Sequence, residues 1–87
     1  MAILQAYAVL DLKVSAFSQP MFYPTTPAAL RAFGQAANLD DHDFSRFPED
    51  FVIYEIGSFD TDSALLTSLS IPKVLAKALD FKVKPEA

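Results

Sequence analysis

The sequence predicts an α+β fold, a small sandwich in the order β-α-β-β-α with helices packed on one face of an antiparallel or mixed sheet. Three observations predict it. Apolar residues alternate at period two near the start of the chain. A long run with two greasy faces occupies Phe51–Asp60. Helix-period stripes follow Thr26 and Ser70.

The first strand is read in AILQAYAVLDLKV. Leu4, Ala6, Ala8, Leu10 and Leu12 share one face, taken as the core, while Gln5, Tyr7, Val9, Asp11 and Lys13 share the other. Next, SQPMFYPTTP is an extended connection. Pro20, Pro24 and Pro27 forbid a regular central strand, and Phe22 and Tyr23 project from it. Thr26 is the expected N-cap of the first helix, with Pro27 at its first helical position. That helix, PAALRAFGQAANL, lines up Leu30, Phe33 and Ala37, and Gly34 weakens it or admits a close neighbour.

DDHDFSRFPED reads as a polar loop. FVIYEIGSFD is a central strand, with Val52, Tyr54 and Ile56 on one face and Phe51, Ile53 and Glu55 on the other; Gly57 marks a bulge or turn. After a turn at Asp60 to Ser63, ALLTSL is a third strand. Ser70 and Pro72 then open a closing helix, IPKVLAKALDF, with Ile71, Val74, Leu75, Ala78 and Leu79 as its apolar stripe.

At 87 residues the chain makes one domain, 1–87, with a tail from 82 to 87 expected to fray. Its hydrophobic fraction of 52% is too high for a disordered chain and is a large load for so small a core. Helices cover one side of the sheet, so the side bearing Tyr7, Val9, Phe51 and Ile53 is left for a second subunit. Val9, Phe51 and Ile53 are the expected oligomer interface, in a homodimer or higher oligomer.

The absence of cysteine removes disulfides and thiolate metal sites, and a single His42 removes a multi-histidine site. No metal and no cofactor is expected. Gln5 and Asp11 interrupt the apolar start and no basic residue precedes it, so the pattern fails as a signal peptide and the expected location is the cytoplasm. The net charge of −4 weighs against nucleic acid. The charge is uneven: residues 1–72 hold three basic and nine acidic residues, whereas 73–87 hold four lysines against Asp80 and Glu86.

YAVLDLKVSAF, QPMFYPTTPAALRAF, FPEDFVIYEIGSFD and PKVLAKALDF, in this order and spacing, give the chain a resemblance to a known family. From Tyr7 to Phe81 it resembles the small nonstructural proteins of gokushoviruses, tailless single-stranded DNA phages of the Microviridae. The specific parts are Gln19-Pro20…Pro24-Thr25…Ala29-Leu30-Arg31…Phe33 and Pro48-Glu49-Asp50…Tyr54-Glu55…Gly57…Phe59-Asp60. The chain departs from that pattern at Phe47, where relatives carry histidine, and at Leu10, where an aromatic is frequent. The resemblance implies an accessory protein absent from the virion and made in the host cytoplasm. It would act where replication passes to single-strand synthesis coupled to packaging, with DNA binding as its activity. No catalytic residue comes with it, so an enzyme is not expected.

Single-stranded DNA binding needs aromatic faces for bases and cations for phosphates. The candidates are Phe22, Tyr23 and Tyr7, with Tyr54, for stacking, and Arg31, Lys13, Lys73, Lys77, Lys82 and Lys84, with Arg46, for phosphate. The competing role of the rings is core packing, with Phe22 and Tyr23 the most exposed by their proline-bounded segment. For Arg31 the competing role is an ion pair with Glu49 or Asp50. Asp40, Asp41, His42 and Asp43 lack calcium-loop spacing and read as a solvated loop. Glu49, Asp50 and Glu55 lack the apolar pocket that acid–base catalysis requires. The alternative function is a protein–protein adaptor that engages a replication initiator, a host replication protein or the procapsid without touching DNA.

Overall fold

In a computed structural model, which describes residues 2–83, the fold is α+β and is built outward from one central pair of strands. β1 (Ile3–Asp11) pairs antiparallel with β4 (Phe51–Asp60) along its whole length. The other side of β1 takes two short strands, β2 (Ala16–Phe17) and β3 (Met21–Tyr23), which together make one broken edge. The other side of β4 takes β5 (Leu66–Lys77), a 12-residue edge strand. All five strands form one antiparallel sheet.

Helix α1 (Thr26–Ala37) lies across one face. Its buried residues Ala29, Phe33 and Ala37 recur at four-residue spacing, one turn apart, and the two alanines let the helix axis come close to the strands. They pack on Tyr7, Val9 and Ile53, with Ala78 closing the cluster. A short helix α2 (Asp43–Arg46) and a 3₁₀ turn at Pro48–Asp50 carry the chain from α1 into β4. A second 3₁₀ turn, Ala78–Phe81, ends the described fold.

Several expectations are corrected here. The covered face is the one bearing Tyr7, Val9 and Ile53, not that of Ala6 and Ala8. Tyr7 is 0% exposed and its hydroxyl hydrogen-bonds Thr26 Oγ1 at 2.9 Å. Val9 and Ile53 are also buried within the chain, and Phe51 packs against the same cluster, so these three are core residues and not an outward interface. The reason is volume. The space beneath α1 is filled by large side chains opposite alanines, whereas Ala6 and Ala8 would leave it empty.

The closing helix is a strand. Ile71, Val74 and their neighbours extend β5 to Lys77, because β4 has a second edge to satisfy and β-branched residues suit it. The helix-like stripe comes from two register shifts that break the period of two on β5, one at Leu75, facing the step from Ile53 to Tyr54, and one at Leu69 to Pro72, facing Ile56. The N-cap of α1 is Thr25, whose side chain accepts from the Ala28 amide, so Thr26 and Pro27 are the first helical residues. The "polar loop" hides Phe44, which stacks between Phe33 at 5.2 Å and Phe51 at 4.7 Å. β4 falls on the residues expected of it. Lys82 and Val83, the first residues of the tail expected to fray, are tied down: Lys82 Nζ donates to Ser45 Oγ and the Val83 amide donates to Asn38 Oδ1.

Candidate functional site: the open face of the sheet

The face of the sheet opposite α1 has no helix on it among the described residues. Strand register lays out its side chains in rows. Phe17, Leu10, Val52 and Lys77 form one row across the sheet, and Ala8, Tyr54 and Val74 the next. Phe22, Ala6, Gly57 and Ser68 make a third, followed by Leu4, Phe59 and Leu66. Alanines on β1 and a glycine on β4 thus run down the centre, with aromatic rings to either side.

Those rings associate in two pairs. Phe17 meets Tyr54 edge-on, centroids 5.3 Å apart, and Phe22 meets Phe59 at 5.8 Å. Phe17 and Phe22 each keep close to half of their surface in contact with water. Between Phe22 and Leu66, over Ala6 and Gly57, lies an apolar recess of about 80 Å³, also walled by Pro20, Ile56, Thr67 and Ser68. The recess exists because its floor carries nothing larger than the methyl group of Ala6. A β-carbon on Gly57 would strike the carbonyl oxygen of Thr67, which lies inside any allowed contact distance, so only glycine lets β5 close against β4 there.

The residues proposed for DNA distribute unequally. Phe22 stands on the open face with Tyr54. Tyr7 is sealed in the core, and Tyr23, 6.1 Å from it by ring centroids, packs against the same cluster on the helix side. Of the cations, Lys77 lies on the open face opposite Val52. Lys73 stands opposite Glu55 on the same edge strand but on the helix side. Arg31 is exposed on α1 and lines a groove with Leu30, Asn38 and Phe81; it has no ion pair among the described residues. Lys13 borders a pocket rimmed by Asp11, Asp43 and Asp50. Lys82 is held by Ser45, and Lys84 lies outside the described residues. Arg46 is paired with Asp43 at 2.6 Å.

Phe17 and Phe59 were missed as site residues. The signal that identifies them is their parity with Ala6 and Gly57 once strand pairing is known. The acidic loop has a structural role: His42 caps α2, its Nδ1 accepting from the Phe44 amide at 3.1 Å. Among the described residues no three histidine or carboxylate groups gather as a metal site, and no helix is long and apolar enough to cross a membrane.

No curated protein and no solved structure matches the chain. A family model described as Phage ORF5 protein matches residues 4–81, which include both helices and all five strands except the first residue of β1. On that match, the chain belongs to the Phage ORF5 protein family.

Proposed function

We propose that this phage protein is a nonstructural, non-enzymatic accessory factor that binds single-stranded DNA without sequence preference during genome synthesis and packaging in the bacterial cytoplasm. The observation that supports it most is the open sheet face, where two aromatic pairs flank a floor of Ala6, Ala8 and Gly57. Every base has a flat apolar face, and a base stacked on an aromatic side chain contributes about 1–3 kcal/mol. Exposed rings on a rigid sheet hold such a platform at low entropic cost. Lys77 at one end of the face supplies a phosphate contact. Fluorescence anisotropy of a labelled thymidine oligomer, titrated at low and at physiological salt, tests it. Binding that weakens as salt rises supports the reading, and no binding at low salt defeats it.

A second reading is an adaptor that engages a replication protein or the procapsid through the same face. The scatter of cations favours it: Lys77 is the single lysine on that face in the register, and the chain carries −4 overall. Capture of protein partners from infected cells after nuclease treatment separates the two readings, since DNA-bridged partners are lost.

A further inference from the structure

We infer that β5 is a self-pairing edge, and that two copies of the chain join their sheets through an antiparallel, two-fold β5–β5 seam. The inference is independent of what the open face binds.

The sheet has two edges, and they differ. One is the pair β2 and β3, short strands interrupted by Pro20 and followed by Pro24, which is how natural sheets block unwanted pairing. The other is β5, and no described element pairs with its outer side. Charged and proline guards appear only in its C-terminal half, as Pro72, Lys73 and Lys77, next to a register shift that sets Leu69 to Pro72 against Ile56 alone. From Ser63 through Ile71 there is neither a charge nor a proline. This unguarded stretch is also greasy: Leu66 is 63% exposed and Ile71 76% exposed, with Leu65, Leu69 and Val74 exposed as well. An unprotected apolar edge in water invites another strand.

A second copy fits this edge better than an unrelated strand does. Pairing centred between Ser68 and Leu69 sets Leu66 opposite Ile71 and Thr67 opposite Ser70 of the other copy. Pro72, which has no N–H to give, falls just outside the paired stretch.

Area supports the same occupant. Burying one aliphatic side chain removes on the order of 100 Å² from water. Because the five are 39% to 76% exposed, together they supply roughly 300 Å², between a third and a half of the ~800 Å² per partner that a stable interface buries. The backbone and hydroxyls of the strand supply more. Because the second edge is blocked, the contact closes on itself and gives a dimer rather than a filament.

Sedimentation velocity and hydrogen exchange on the full chain test the inference together. The expected result is a dimer at micromolar concentration, with amides of Leu66 to Ile71 losing protection on dilution. The substitution Ile71→Lys, at a site that is mostly solvent-exposed, weakens dimerisation about tenfold or more while circular dichroism stays unchanged. A monomer at high micromolar concentration overturns the inference. So does open-ended polymerisation, or a dimer whose β5 amides exchange at the same rate at every concentration. If Ile71→Lys fails to fold, the exchange measurement on the unaltered chain decides alone.

Discussion

The rings of Phe22 and Phe59 meet at 5.8 Å over the top of β1, and they can do so because the residue beneath them is Ala6. Phe22 is paired through β3 to Ala6, while Phe59 is paired through β4 to Leu4, so the contact is a diagonal across the middle strand. A larger residue at Ala6 would separate the rings and fill the recess beside them. The platform is thus made by small residues as much as by aromatic ones.

Truncating the platform should lower DNA affinity without unfolding the protein. Phe22→Ala and Phe17→Ala each remove a ring that is nearly half in water, and each is expected to weaken oligonucleotide binding by about 1–3 kcal/mol. Anisotropy titration reads the loss, and thermal melting checks that the fold survives.

Tyr7 supplies the matched control. Tyr7→Phe removes the hydrogen bond to Thr26 Oγ1 and is expected to cost about 1 kcal/mol of stability. Because the ring is sealed beneath α1, DNA affinity should not change. Denaturant melts and the same titration separate the two effects.

Gly57→Ala should be among the most damaging single changes in the chain. The new β-carbon would collide with Thr67 backbone, and a backbone cannot swing aside as a side chain can. The expected cost is about 2–3 kcal/mol, read as a fall in the denaturation midpoint.

Asn38 closes the helical layer. Its Nδ2 donates to the Gly34 and Phe81 carbonyls at 2.9 and 2.8 Å, and its Oδ1 accepts from the Val83 amide. Asn38→Ala removes all three bonds, and a loss of about 1–3 kcal/mol is expected, with faster hydrogen exchange at Val83.

Two turns hold residues with positive φ, Ser15 at 55° and Ala64 at 62°. Neither residue is glycine, and the left-handed region costs an L-residue about 1–2 kcal/mol. Ala64→Gly, in the β4–β5 hairpin, should therefore raise stability by about 0.5 kcal/mol, after the entropy that glycine gives up on folding is subtracted. Chemical denaturation measures it.

What was legible in the sequence follows from where local signals coincide with tertiary ones. β4 was readable in full because a run apolar on both faces belongs in the middle of a sheet, and there it lies. α1 was readable from its stripe, with its start shifted by one residue, since Thr25 and Thr26 are equally good caps and only geometry chooses Thr25. The side of the sheet that α1 covers was not readable. Leu4, Ala6, Ala8 and Leu10 outnumber Tyr7 and Val9 as apolar residues, yet α1 packs on the face whose bulk complements Ala29 and Ala37.

β5 was misread for a related reason. Its register shifts place Ile71, Val74 and Leu75 at helix-like spacing, and the unsatisfied edge of β4 that calls for a strand is invisible until the sheet is assembled. The candidate surface inherits both errors. Phe22 was identified because its prolines mark it, whereas Phe17 and Phe59 join it only once the open face is known.

The most direct test is to follow the aromatic ring resonances by NMR while a short thymidine oligomer is added. The account predicts shifts at the rings of Phe17, Phe22, Tyr54 and Phe59, and none at Tyr7, Phe33 or Phe44 on the covered side. Shifts confined to the groove beside Arg31 on α1, or rings left unmoved by excess oligomer, would contradict it.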